Sequence, residues 1–199
     1  MTKNLSIVFV RNPELGKVKT RLAKTIGDKK ALNIYILLLK HTESVLQKVS
    51  SDKVVYYSEK IQSNDLWSNR CFQKKLQKGN DLGERMQHAF EMAFKEGYEK
   101  VVIVGSDLFD LKAVHIENAF KALENHNLVI GPSLDGGYYL LGMKVLHPAV
   151  FKNKQWGTDS VLETTLKNLE QENVKLLEAL NDIDTFDDLQ GHPELLKKI

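Results

Sequence analysis

Short runs of consecutive apolar residues alternate along this chain with longer stretches in which apolar side chains recur every three or four positions. The first run, LSIVFV (5–10), is ended by RNPELG, the pattern of a buried strand entering a loop. From Lys17 the pattern turns helical, with Ala31, Tyr35, Leu38, Thr42, Val45 and Val49 on one face, and predicts helix through about Val49. KVVYYS (53–58) reads as a second strand, residues 61–69 show no clear period beyond a short helix around Trp67, and CFQKKLQ (71–77) reads as a weak or edge strand. GNDLGERMQHAFEMAFKEG (79–97) predicts a helix with Met86, Phe90, Ala93 and Phe94 facing inward and Gly97 at its end. VVIVG (101–105) is the clearest buried strand. A helix marked by Ile116, Phe120 and Leu123, a strand NLVIG (127–131) and a strand over 138–143 follow. The remainder predicts a helix near 158–170, a strand VKLLE (174–178) and a short helix following TFDDL. Strands alternating with helices argue for an α/β fold, a mainly parallel sheet with helices on both faces, formed by residues 1–199 as one domain.

Composition narrows the function classes. A net charge of +2 gives no bulk electrostatic case for nucleic acid or a membrane surface, so any anion recognition must be local. Cys71 is the single cysteine, which excludes an intrachain disulfide or a multi-cysteine zinc site and fits a reducing compartment. Leu5 to Val10 is too short for a secretory signal, and no segment reaches the roughly 18 apolar residues of a membrane span. The expectation is a cytoplasmic protein.

In open α/β sheets ligands bind where strands end, at a topological switch point. The loops that follow the strands are RNPELGKVKTRL (11–22), SDLFDL (106–111), PSLDGG (132–137) and NDIDTFDDL (181–189). GKVKT (16–20) is not a Walker A, because Arg11 and Val18 stand where that motif needs glycine and a hydroxyl residue. A turn containing Gly16 that opens into a helix, with Arg11, Lys17, Lys19 and Arg21 beside it, is either an anion cradle or a solvated basic helix start. Asp107 ends a buried strand, and Asp182 and Asp184 share one side of an extended segment. Together they could surround a hard cation. Equally, Asp107 could form a turn, and Thr185 with Asp188 a helix-capping box. The six histidines show no ligand spacing.

Five segments in order, KVKTRLA (17–23), DLGERM (81–86), VVIVGSDLFDL (101–111), GPSLDGGYYLLGM (131–143) and DIDTFDDL (182–189), resemble the bacterial GT-A-like glycosyltransferase family. That family is related to phospholactate guanylyltransferase and to the molybdenum-cofactor nucleotidyltransferases. The resemblance runs over nearly the whole chain and implies the nucleotide-diphospho-sugar transferase fold, a Rossmann-like three-layer α/β/α sandwich that binds an activated nucleotide with Mg²⁺ or Mn²⁺. It implies that Lys19 and Arg21 hold phosphates, that Gln77, Leu82 and Gly83 border the base, and that Asp107 and Asp184, with Asp182 beside them, hold the metal. Asp135, Gly136 and Gly137 would face the acceptor or sugar, with Asp135 orienting the acceptor or acting as a base.

Phe109 stands where the family usually has proline, and Arg11 where lysine is common. The GSD segment carries one aspartate where many sugar-nucleotide enzymes carry Asp-x-Asp. The resemblance implies first a glycosyltransferase moving a sugar from a nucleotide sugar to a small acceptor. A nucleotidyltransferase acting from an NTP on a phosphorylated or acidic small molecule, with pyrophosphate release, comes second. A nucleotide-binding protein without catalysis comes third.

Overall fold

A computed structural model describes residues 3–198. Strand β1 (Asn4–Val10) lies near the middle of a seven-stranded sheet, parallel to β2 (Asp52–Tyr57) on one side and to β4 (Lys100–Val104) on the other. β3 (Gln73–Leu76) pairs in parallel with β2 and forms one edge. Beyond β4 come β6 (Tyr138–Met143), then β5 (Leu128–Pro132), then β7 (Val174–Leu176), for a strand order of 3-2-1-4-6-5-7. β6 runs antiparallel to both of its neighbours, because a tight hairpin rather than a helix joins it to β5.

Alternation along the strands sorts the core into two layers. Val8, Val55, Val102, Val104 and Val129 face helices α2 (Asp28–Gln47) and α4 (Ala113–Ala122), through Tyr35, Leu39, Ile116 and Phe120. Leu5, Ile7, Val54, Val101, Ile103 and Ile130 face α3 (Leu82–Lys95) through Met86, Ala89, Phe90 and Ala93. Asp81 caps α3 by accepting from the Glu84 amide at 2.8 Å, and Gly97, at φ 82°, follows its end. No helix among the described residues is long and apolar enough to cross a membrane.

The helix expected over 17–49 is two helices. α1 (Thr20–Ile26) stops at Gly27, whose φ of 83° breaks the helical path before α2. Residues 61–69 form no helix. They are held instead by Asp65, which accepts from the Tyr57 hydroxyl and from Lys74 Nζ, while buried Trp67 packs edge-on against Phe72. The helix expected near 158–170 is shortened to α5 (Val161–Lys167). α6 (Phe186–Gln190) begins inside TFDDL rather than after it, with Thr185 and Asp188 forming the capping box at its start, and α7 (Pro193–Leu196) follows.

Two topological facts position the site. The chain leaves β1 towards β2 on one side and returns at β4 on the other, so the loops after β1 and β4 diverge and open a crevice between them. After β7 the chain stays extended across the carboxyl ends of the strands. Leu177 donates to Ile130, Leu180 donates to Pro132, and Ile183 donates to the carbonyl of Asp107 at 3.0 Å. That crossing carries residues 182–184 over the end of β4.

Candidate active site

A cleft of about 850 Å³ opens at this switch point. Lys19 ends the turn after β1 with φ 49°, a left-handed conformation unusual for a residue with a Cβ. Its side chain is 3% exposed, and its ammonium lies 2.8 Å from Asp107 Oδ2 and 3.9 Å from Asp184 Oδ1. Arg21, one helical residue on, reaches the other Asp184 oxygen at 3.0 Å. Burial pushes the Asp107 carboxyl up, but the Lys19 charge and hydrogen bond, the Ser106 hydroxyl and the Arg11 charge outweigh it and hold Asp107 below the usual carboxylate range. Asp182 goes the other way. Burial and then the charge of Asp135 raise it to about 6, with Lys19 opposing and Asp107 reinforcing the rise.

Arg11 lines the cleft, and its backbone is clasped by one buried hydroxyl. Tyr35 accepts from the Arg11 amide at 2.9 Å and donates to the Arg11 carbonyl at 3.1 Å. Gln77 spends its amide group on the Val10 and Tyr56 carbonyls, joining the ends of β1 and β2, and its oxygen accepts from Arg85 at 3.4 Å. Leu82 and Asp135 also line the cleft, and Asp135 accepts from the Gly137 amide at 3.0 Å.

Three glycines sit elsewhere than expected, two from the family resemblance (Gly136 and Gly83) and one from the basic turn (Gly16). Gly136 (φ 87°) does not line the cleft. A Cβ there would stand 2.1 Å from the Asp159 carbonyl oxygen, and the Gly136 carbonyl accepts from Leu162, so the close backbone approach is to the segment before α5 and not to a substrate. A Cβ on Gly83 would lie 2.6 Å from the Trp156 ring, so that glycine seats the indole. Gly16 forms the turn after β1 and likewise stays off the cleft wall. Gly137 does line it.

Tyr138, Trp156 and Thr158 form a wall that no sequence period signals, since Trp156 and Thr158 lie in irregular chain between elements. Arg85 could have been found, as the arginine of DLGERM on the first turn of α3. Among the described residues no three His, Cys, Asp or Glu side chains form a ready metal cluster. Asp107 and Asp184 instead converge on one ammonium. Lys19 and Arg21 balance these two carboxylates, whose hard oxygens, with Asp182 beside them, are the donor type that a divalent ion shared with phosphates takes.

Comparison with known proteins bears on the fold and the family. The chain is 30% identical to a structure described as a nucleotide-diphospho-sugar transferase from Desulfovibrio desulfuricans G20, with a TM-score of 0.86, covering 100% of this chain and 98% of that one. A 4-diphosphocytidyl-2C-methyl-D-erythritol synthase from Anaerococcus prevotii DSM 20548 shares the fold at a TM-score of 0.62 and 13% identity, covering 98% and 96% of the two chains. By sequence, 138 residues are 27% identical to the 2-phospho-L-lactate guanylyltransferase of Methanocaldococcus jannaschii, covering 69% of this chain and 59% of that protein. The chain thus spans about three fifths of the length of the curated relatives it matches. Residues 41–158, from α2 through the wall containing Trp156, match the bacterial family described as DUF2064, uncharacterized protein conserved in bacteria. The chain belongs to that family, and its sheet is the nucleotide-diphospho-sugar transferase fold.

Proposed function

We propose that this chain is a metal-dependent nucleotidyltransferase that moves a nucleoside monophosphate from an NTP to a small-molecule acceptor and releases pyrophosphate. The observation that carries the reading is the buried Lys19 ammonium between Asp107 and Asp184, with Arg21 on the outer oxygen, at the sheet's switch point. Similarity to guanylyltransferases by sequence supports nucleotidyl over glycosyl transfer.

In the reaction, an acceptor oxygen forms a bond to the α-phosphorus while the bond from that phosphorus to the β-phosphate oxygen breaks. Pyrophosphate departs, and the acceptor's hydroxyl proton passes to the carboxylate of Asp135. Lys19 and Arg21 offset the charge that grows on the leaving group, and Arg11, fixed by Tyr35, presents a planar fork to the phosphates. Asp107 and Asp184, with Asp182 beside them, would hold Mg²⁺ or Mn²⁺. The ion, when bound, supplies Lewis-acid neutralisation of phosphate charge.

Glycosyl transfer from a nucleotide sugar is the second reading, favoured by the full-length likeness to the Desulfovibrio protein. Product analysis separates the two. With Mg²⁺, a panel of NTPs and sugar nucleotides is incubated with pooled small-molecule acceptors. Pyrophosphate release that Asp107→Asn abolishes supports nucleotidyl transfer. Nucleoside diphosphate release selects glycosyl transfer, and neither product refutes both.

A further inference from the structure

The carboxylate oxygens assigned to the metal already face donors of the chain itself. Asp107 Oδ2 takes the Lys19 ammonium at 2.8 Å, and its Oδ1 accepts from the Ser106 hydroxyl at 3.2 Å. Asp184 Oδ2 takes Arg21 at 3.0 Å, and its Oδ1 lies 3.9 Å from the same Lys19 ammonium. Burial and then Asp135 raise the third carboxyl, Asp182, and the Lys19 charge opposes them. One buried ammonium is thus shared by all three carboxylates.

Access does not keep an ion from these oxygens. The side chains of Asp107 and Asp184 are 40% and 33% exposed, whereas that of Lys19 is 3% exposed. What opposes an ion is charge. Lys19 and Arg21 balance Asp107 and Asp184, so a divalent ion on the same oxygens would stand against an ammonium that the surrounding protein holds in place. Like charges that close repel strongly where water is scarce. Mg²⁺ also gives up its own water reluctantly. A nucleotide changes the balance. Its phosphates bring several negative charges to the same floor. Lys19, a flexible point charge with three donors, can turn from Asp107 to a phosphate oxygen without leaving the cleft that it lines.

We infer that Lys19 is a placeholder for the metal: in the nucleotide-free protein its ammonium occupies Asp107 and Asp184, and nucleotide phosphates draw it off, so that the ion binds with the nucleotide and not before it. The inference rests on the metal and phosphate roles that the nucleotidyl-transfer reading gives these residues, and adds the order in which they are filled. Lys19 then acts on the ion in two opposite ways. It excludes the ion from the nucleotide-free cleft, and it holds the phosphates that carry the ion in.

Mn²⁺ retained by the full-length protein in equilibrium dialysis at pH 7.5 tests this with no turnover involved. Without nucleotide, Lys19→Met should bind Mn²⁺ at least about tenfold more tightly than wild type. With a non-hydrolysable NTP analogue in excess the order should reverse, the variant retaining less Mn²⁺ because a phosphate-holding cation is gone. Arg11→Gln is the control. It removes a cation that lines the same cleft and acts on Asp107 through its field, and it should tighten Mn²⁺ less than about threefold. A melting curve establishes that each variant is folded at the assay temperature, and Lys19→Gln, neutral and polar, replaces the methionine variant if that one is not.

Wild type that binds Mn²⁺ alone as tightly as Lys19→Met overturns the inference, as does a variant that keeps its advantage with the nucleotide. An equal gain from Arg11→Gln also overturns it, since the effect would then be one of overall charge. All three results leave the transfer reading intact. Pyrophosphate release from hydrolysable NTPs, assayed in parallel, tests that reading separately. The expected reversal without pyrophosphate from any NTP defeats transfer and leaves the placeholder role standing. Mn²⁺ retained by neither protein under either condition defeats both this inference and the metal dependence of the transfer.

Discussion

Replacing Asp182 with asparagine tests the electrostatics of the cleft without reference to any substrate. The native carboxyl holds its proton to about pH 6, raised first by burial and then by Asp135, against 3.8 for the ordinary group. Between those two values the folded protein binds more protons than the unfolded chain, so stability falls as pH rises through that window, and above it the loss is complete. At full burial a displacement of this size costs about 3 kcal/mol of native stability at neutral pH. The carboxyl is partly solvated, and screening reduces the figure to about 1–2 kcal/mol. Asp182→Asn keeps the shape and removes the charge. It should therefore stabilise the ligand-free protein by about 1–2 kcal/mol at pH 7.5, or about 3–6 °C in Tm for a chain of this length. At pH 4, where the wild-type carboxyl is already neutral in the native state, the gain should fall to less than about 0.5 kcal/mol. Urea unfolding of both proteins at the two pH values measures the difference directly. A gap that does not change with pH, or a variant less stable than wild type at pH 7.5, would refute the charge balance described for this cleft.

Asp107→Asn removes a proposed metal-holding carboxylate and the charged partner of buried Lys19, so it should lower turnover by about 10²–10³-fold and also lower Tm; steady-state kinetics beside a melting curve checks both. Lys19→Met removes the ammonium that pairs with Asp107 and leaves Asp184 with Arg21 alone, and should cost about 1–3 kcal/mol of stability along with nucleotide affinity, read by urea unfolding and calorimetric titration. Gly136→Ala should destabilise by more than about 2 kcal/mol, because its Cβ meets the Asp159 carbonyl at 2.1 Å in a left-handed backbone. Gly157→Ala, with similar φ but nothing within 4 Å, should cost only about 1 kcal/mol, so equal losses in the two melting curves would discount the contact.

The strands and the two-layer core were legible because buried parallel strands are short apolar runs and the helices facing them keep a 3.6-residue period. The antiparallel course of β6 was not, since a run such as YYLLGM reads the same in either direction and only the hairpin decides. The break at Gly27 was hidden by helical periodicity on both of its sides. At the site, Lys19, Arg21, Asp107 and Asp184 could be picked out because each follows a strand end, where an α/β sheet presents ligand-facing side chains. Their convergence depends on the extended crossing of 177–184 over β4, which is anchored by backbone hydrogen bonds that side-chain identity does not encode. Gly136 shows the opposite limit. A double glycine announces a close approach, but not what approaches. Tyr138 and Trp156 went unread because no spacing links a hairpin residue to irregular chain 18 positions later.

The central claim is that Lys19, Arg21, Asp107 and Asp184 form one phosphate-and-metal site. A crystal structure with a non-hydrolysable NTP analogue and Mn²⁺, phased for manganese anomalous signal, tests it most directly. The account predicts an anomalous peak on the carboxylates of Asp107 and Asp184, with the nucleotide's phosphates against Lys19 and Arg21. Phosphates bound away from Lys19, or manganese bound without Asp107, would contradict it.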